Sequence, residues 1–430
     1  MDELKEQLMQ IKDTPILECK DVGLNSNKRS LTLVIKLGTS SICDEQTFKP
    51  KLANLSLLVE TVVALRSLGH NVMIVSSGAV GVGLRRLALL KKPKHLSQVQ
   101  AVAAVGQGRL MALYDTLFSQ FEVPIAQILL TRDNLAERSQ YLNARSTLRE
   151  LLQMNVVPII NENDSVSNAE IRFGDNDTLS AIAAGMINAD VLFLLTDVDA
   201  LYTDNPRTNP DVKAVRVVDN IKQLREQVTV TSLGSSIGTG GMVTKLIAAE
   251  LATAVGCSTV ISLGSKPQVI LDIIQEIQTQ RAAPPGTVFS PTIGTHFLAK
   301  PNPMVDRKWW ILHGLAVSGS VYIDAGAVLA ITKQKSSLFA AGIVKVEGTF
   351  NAQQSVQIMT VVKKTLPRGE VVEQTVEVAR GLANYSAVEM QRIVGVQSSK
   401  IADLLGYSDS DYVIHRDNIA IVIDQNQQDS

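Results

Sequence analysis

Two acidic-amide clusters and one glycine-rich loop hold the residues of this chain best suited to chemistry. Asn161-Glu162-Asn163-Asp164 is followed about ten residues later by Phe173-Gly174-Asp175-Asn176-Asp177. Some sixty residues further on comes Gly238-Thr239-Gly240-Gly241-Met242-Val243-Thr244-Lys245. Carboxylates in such clusters position a cation or a lysine, and amides grip a zwitterion. Glycines let backbone N–H groups come close to phosphate oxygens. Taken with Lys36 near the N-terminus, the set suggests phosphoryl transfer between two small, charged partners.

The elements around these clusters would bring them together. Short apolar runs at Leu31–Lys36, Asn71–Ser76, Ile125–Leu130, Val156–Ile160, Val191–Leu195 and Ser258–Ile261 read as strands. Between them, 51–69, 97–120, 140–153, 177–188 and 243–256 have helical spacing. Strand, helix, strand in repetition predicts right-handed crossovers and a mostly parallel sheet with helices on both faces, a three-layer αβα sandwich. Ligands of such sheets bind beyond the strand C-termini. Gly38-Thr39-Ser40, Ser76-Ser77-Gly78, Asn161–Asp164 and Thr196-Asp197 each follow a strand, so they should converge on one edge.

Neither G-x-x-x-x-G-K-[ST] nor G-x-G-x-x-G occurs, so a Walker NTPase and a classical dinucleotide domain lack their strongest signal. Lys36 interrupts an apolar strand just before Gly38-Thr39-Ser40. A lysine snorkelling from an edge strand would look the same. Gly238–Lys245 leads into a helix whose N-terminal dipole favours an anion, although glycine-rich loops are often only flexible turns. Asp175 or Asn176 is also well placed to cap the helix that follows.

Composition narrows the class. The chain has 430 residues, enough for two or three domains. Hydrophobic residues make up 45% and aromatics only 4%, so the core is aliphatic, as buried parallel strands require. Formal net charge is −1, which gives no footprint for nucleic acid or anionic membrane. Cys19, Cys43 and Cys257 are odd in number and far apart, arguing for a reducing compartment without a disulfide framework. The five histidines are scattered and there is no CxxC, which argues against zinc. Residues 1–30 carry no signal or transit pattern and read as an N-terminal extension. No run of about 18 uncharged apolar residues occurs. A cytoplasmic protein is expected.

Prolines at 284, 285, 291, 301 and 303 mark 281–305 as a linker after a domain at 31–280. Residues 306–424 turn to strand-and-turn style, with Val321–Asp324, Gly342–Val346, Ser355–Thr360 and Glu370–Val378 as strands, and 425–430 is a polar tail.

Seven segments give a specific resemblance. Leu33–Ser40, Val75–Val80, Ala104-Val105-Gly106-Gln107, Ile160–Asp164, Gly174–Asp177, Leu195-Thr196-Asp197 and Gly238–Lys245 occur in order and with compatible spacing over about residues 31–300. Together they resemble the glutamate 5-kinase family of the amino acid kinase superfamily. Superfamily relatives usually carry a Gly-Gly-Gly-type turn where this chain has Ser76-Ser77-Gly78, which favours glutamate kinase over acetylglutamate kinase. Val321–Ala327, Lys335–Leu338, Gly342–Phe350 and Ala379–Ser386 resemble a PUA domain, a fusion found in that family. The N-terminal extension is more like fungal forms.

The resemblance implies an ATP- and Mg²⁺-dependent kinase that converts L-glutamate to L-glutamyl 5-phosphate, the first step towards proline, with L-proline as feedback inhibitor and a homo-oligomeric assembly. It implies that Lys36 and Lys245 hold the transferring phosphoryl group, with Asp175 and Asp177 beside the reaction centre and Asp177 orienting the lysines. Ser77, Asp164 and Asn176 match the glutamate-binding groups. Of these, Asp164 suits the ammonium and Asn176 the α-carboxylate. Thr196, Asp197, Thr239, Gly240, Gly241, Met242, Val243, Thr244 and Lys245 match the nucleotide segments, while metal ligands stay unassigned. The alternatives are another amino acid kinase, such as acetylglutamate kinase, and an RNA-binding protein acting through the PUA-like domain. Residues 306–430 hold 12 Lys+Arg against 13 Asp+Glu. RNA binding normally needs a basic face, so a structural or regulatory role fits that domain better.

Overall fold

The computed structural model describes residues 30–131, 134–135, 137–167, 176–203, 212–221, 223–224, 241–284, 287–300, 308, 311–312, 315, 317–352, 354–365, 371–407 and 410–422. In chain order the first elements are β1 (Thr32–Leu37), α1 (Thr39–Ile42), α2 (Leu52–Ser67), β2 (Asn71–Ser76), α3 (Ala79–Arg86), α4 (Leu96–Ser119), β3 (Ile125–Leu130) and α5 (Arg138–Gln153). They continue with β4 (Val157–Glu162), α6 (Asn176–Ile187), β5 (Val191–Thr196), β6 (Leu201–Tyr202), β7 (Ala214–Val215) and β8 (Val217–Val218). After these come α7 (Met242–Ala254), β9 (Ser258–Leu263), α8 (Val269–Ala282) and β10 (Thr295–Phe297).

Among the described residues, eight strands form one sheet in the order β3-β4-β2-β1-β5-β9-β10-β8. Neighbours from β3 to β9 pair in parallel, and only β10 runs antiparallel to β9. The expected αβα sandwich is therefore present. Successive side chains of a strand face opposite ways, and β1 shows the consequence. Leu33, Ile35 and Leu37 join a core with α2, α4 and α8, while Val34 joins a second core with α5, α6 and α7. Lys36 shares the parity of Val34 and so faces α6 and α7. Because β1 lies between β2 and β5, Lys36 belongs to a central strand and the edge-strand reading fails.

Some elements differ from the sequence expectation. The short helix α3 was not expected, because Gly81 and Gly83 depress helix propensity. Asn161 and Glu162 are the last residues of β4 rather than its sequel, since pairing continues as Leu129↔Asn161 and Leu130↔Glu162. Helix α8 runs to Ala282, and β10 lies within the Pro-rich segment read as a linker, held between β9 and β8.

A second sheet follows, in the order β12-β11-β13-β14-β15. Its strands are β11 (Val317–Ile323), β12 (Ile343–Gly348), β13 (Ser355–Thr365), β14 (Val371–Leu382) and β15 (Ile419–Ile421). Helices α9 (Ala325–Thr332), α10 (Ala387–Arg392) and α11 (Ile401–Leu405) complete this β-rich region. Asp324 caps α9, and Ser386 with Glu389 forms a capping box on α10. Most of its core is a separate cluster, built around Val321, Ile358, Tyr385 and Ile414.

Candidate active site

The centre of the site is a carboxylate shared by two lysines. Asp177, in the first turn of α6, is 0% exposed. Lys36 Nζ from β1 lies 2.6 Å from its Oδ1, and Lys245 Nζ from α7 lies 3.3 Å from its Oδ2. Both lysines are buried. Thr244 Oγ1 also donates to Oδ2 at 2.8 Å. Burial alone would push the Asp177 carboxyl upwards. The charges of Lys36 and Lys245, with hydrogen bonds from Lys36 and Thr244, outweigh burial and hold it at about 2. The carboxylate is thus charged at neutral pH and fixes two ammonium groups, one from each neighbouring element. Gly241 caps α7 in an extended conformation, so Lys245 leaves a helix N-terminus that itself favours anions.

Next to Asp177 begins an amide cluster. Asn176 Nδ2 donates to the Ser76 carbonyl at 3.1 Å, to Ser77 Oγ at 2.9 Å and to Asn161 Oδ1 at 2.9 Å. Asn161 Oδ1 also accepts from the Glu162 backbone N–H at 2.9 Å, and Asn161 Nδ2 donates to Gln107 Oε1 at 2.8 Å. Ser77 owes its position to Gly78, which caps α3 at φ 97°, a conformation that favours glycine. A Cβ there would also press on Ile42 Cγ2 at 3.0 Å. Asp164 is half-buried in the turn that follows β4.

Beyond β5, Thr196 is buried and its Oγ1 donates to Asp197 Oδ1 at 3.1 Å. The Thr196 carbonyl accepts from the Gly264 backbone N–H at 2.6 Å, tying the ends of β5 and β9 together. Met242 is half-buried and Val243 is exposed, on the turn of α7 before Thr244 and Lys245. Asp175, Thr239 and Gly240 lie outside the described residues.

The structure therefore joins Lys36, Asp177, Thr244 and Lys245 directly, and joins Ser77 and Asn176 directly, with Asn176 and Asp177 adjacent in sequence. Sequence reasoning missed Asn161 and Gln107 as members of the site. Both stood in the quoted segments, but only their meeting across 54 residues reveals them. Among the described residues no group of three or more His, Cys, Asp or Glu side chains is placed to hold a metal ion. Nor is any helix among them long and apolar enough to cross a membrane.

A parallel αβα sheet carrying two lysines on one buried aspartate at its C-terminal edge suits transfer of an anionic group. Residues 32–262 match the amino acid kinase family and residues 319–405 match the PUA domain. The chain belongs to the amino acid kinase family. It is 53% identical over 398 residues to the probable glutamate 5-kinase of Schizosaccharomyces pombe, covering 92% of this chain and 94% of that one. It is 47% identical over 391 residues to the glutamate 5-kinase of Trichormus variabilis, covering 91% and 99%. Among solved structures, carbamate kinase from Giardia lamblia bound to AMP-PNP is similar at 14% identity. The match has a TM-score of 0.45 and covers 63% of this chain and 99% of that one.

Proposed function

We propose that this chain transfers the γ-phosphoryl group of ATP to the γ-carboxylate of L-glutamate, giving L-glutamyl 5-phosphate, the first step towards proline. The observation that carries this reading is the pair Lys36 and Lys245 on Asp177, one residue away from the amide cluster around Asn176.

The γ-carboxylate is already ionised at neutral pH, so no general base is needed. The obstacle is charge: two unit charges about 4 Å apart repel by roughly 4 kcal/mol at an effective dielectric near 20. Lys36 and Lys245 offset that repulsion and stabilise the charge spread over the transferring group. Asp177 holds both ammoniums in place before the substrates arrive, so little reorganisation remains for the reaction itself. Thr196, Asp197 and the start of α7 from Gly241 to Lys245 take the nucleotide side.

Both oxygens of Asp177 face lysines, so this carboxylate would not ligate Mg²⁺ itself, and an ion arriving with ATP would be held mainly by the phosphates. Bound there, Mg²⁺ would supply further neutralisation of phosphate charge.

Ser77, Asp164 and Asn176 take the α-amino acid end of glutamate. The hydrogen bonds around Asn176 favour a division other than the one expected from sequence. The Asn176 NH₂ is consumed by Ser76, Ser77 and Asn161, whereas its Oδ1 is buried without a partner among the described residues. Asn176 is thus an acceptor for the ammonium, alongside Asp164. The Ser77 hydroxyl, which accepts from Asn176, keeps its own hydrogen for the α-carboxylate.

L-Proline shares the α-carboxylate and ammonium of glutamate but lacks the γ-carboxylate, so it inhibits through the same subsite. Linkage then requires each ligand to weaken the other equally. Residues 168–173 of the Asp164–Phe173 loop lie outside the described residues. Proline inhibition that glutamate does not relieve would place the inhibitor elsewhere.

The test of the activity is hydroxylamine trapping in the presence of ATP. Hydroxamate should form with L-glutamate and far less with N-acetylglutamate or L-aspartate. Preference for N-acetylglutamate would move the chain to another amino acid kinase activity.

A further inference from the structure

A chain of buried amides runs from α4 to Asn176, and a backbone group forces the orientation of two of its three members. The Glu162 N–H can only donate, so the Asn161 atom 2.9 Å from it is the oxygen, and Asn161 Nδ2 must face Gln107. Gln107 therefore presents its oxygen, at 2.8 Å. At the other end the Ser76 carbonyl can only accept, so the Asn176 atom 3.1 Å from it is Nδ2. That leaves Asn176 Oδ1 as a buried acceptor without a partner among the described residues. Asn161 is 2% exposed and Gln107 9%, so water is poorly placed to substitute for either.

We infer that Gln107 and Asn161 are positioning residues that lock the Asn176 amide with its oxygen available to the substrate, so that the site demands a free ammonium. Gln107 fills the role because of where α4 holds it. The preceding residue is Gly106, where a Cβ would overlap the Ala79 carbonyl oxygen of α3. That close approach of α3 and α4 sets the height of Gln107 against β4. A dicarboxylate without the amino group leaves Asn176 Oδ1 unsatisfied, and an acylated nitrogen offers one N–H with added bulk. The inference rests on the glutamate reading of the site.

The experiment compares full-length wild type with Gln107→Met, Gln107→Glu, Asn161→Leu and the double variant Asn161→Leu/Gln107→Met. Readouts are the KM for L-glutamate, the KM for ATP, and the inhibition constant of glutarate, which lacks only the amine. Gln107→Met removes the acceptor while keeping the length of the side chain. It should raise the glutamate KM about tenfold, the order of one lost buried hydrogen-bond partner. The ATP KM should stay within about twofold, and the preference for glutamate over glutarate should shrink by a similar order. Gln107→Glu keeps an acceptor oxygen in either protonation state and should retain the preference. Asn161→Leu should shrink the preference at least as far as Gln107→Met, and the double variant should lose no more than Asn161→Leu alone, because Gln107 acts only through Asn161, a non-additive result that general loosening would not give.

Unchanged glutamate-over-glutarate preference in folded Gln107→Met overturns the inference, as does an equal rise in both KM values. If Gln107→Met does not fold, the contrast between Gln107→Glu and Asn161→Leu decides. A wild type that forms no glutamyl phosphate overturns the underlying reading instead, before any variant is compared.

Discussion

Asp177 is the residue on which the site turns, because removing a buried charge strands its partners. Replacing it with Asn takes the shared carboxylate away from two buried ammonium groups, those of Lys36 and Lys245. Breaking a buried pair in this way costs about 3–5 kcal/mol, so Asp177→Asn should unfold at clearly lower denaturant, and a wild-type midpoint would show that the ion pairs carry no stability. The sign of the pH dependence follows from the lowered Asp177 carboxyl. A depressed folded-state value contributes stability above the ordinary 3.8 and loses it as pH falls through about 2. The stability gap between wild type and Asp177→Asn should therefore be full above pH 4 and narrow towards pH 2, by roughly 2 kcal/mol. The lysines act on rate. Lys36→Ala and Lys245→Ala should each lower kcat by about 10²-fold or more, the order of one lost electrostatic stabiliser. The glutamate KM should change much less. Near-wild-type turnover in either variant removes that lysine from the mechanism.

Helices α3 and α4 show how an element carries chemistry it does not itself perform. A Cβ at Gly106 would overlap the Ala79 carbonyl, and one at Gly83 the Val102 carbonyl, whereas one at Gly108 meets nothing within 4 Å. Gly106→Ala should therefore cost at least the 1–3 kcal/mol typical of overpacking and disturb glutamate binding through Gln107. Gly108→Ala, on the same helix, should be neutral or stabilising by up to about 1 kcal/mol. Equal melting temperatures for the two variants would refute the close-contact argument. Six strands of the first sheet, β1 to β5 and β9, were legible because short aliphatic runs between helical patterns leave few alternatives. The facing of Lys36 was not legible, because it needs the place of β1 between β2 and β5 and the two cores on either side. Helix α3 was illegible because its glycines serve packing against α4 rather than propensity. Strand β10 was illegible because three residues in a Pro-rich segment become a strand only through pairing with β9 and β8. Lys36 declared itself as a charge in an apolar strand and Lys245 as the lysine that ends a glycine-rich loop, but Gln107 did not. A glutamine in a helix carries no local signal, and its partner is distant in sequence.

At the scale of the molecule, the core on the α6–α7 face of the first sheet continues through Ile311, Leu312 and Leu315 to Leu382 and Ala420 of the second sheet. Arg380 Nη1 adds a hydrogen bond to the Leu312 carbonyl at 2.7 Å. All matched site residues precede residue 281, so a chain ending near residue 300 should still phosphorylate glutamate. It should also melt several degrees lower, because Leu382 and Ala420 no longer cover their share of that core. A folded truncation without activity would make the PUA region part of the site or of a required assembly. The isolated region 306–430, with 12 basic against 13 acidic residues, should not retain RNA on a filter at low salt. The central claim is that a γ-carboxylate oxygen of glutamate becomes bonded to phosphorus. Glutamate labelled with ¹⁸O in its γ-carboxylate, turned over with ATP and trapped with hydroxylamine, tests it directly, because aminolysis expels phosphate with the bridging oxygen. The account predicts one ¹⁸O in each phosphate released together with hydroxamate. Unlabelled phosphate would mean that water, not glutamate, receives the phosphoryl group.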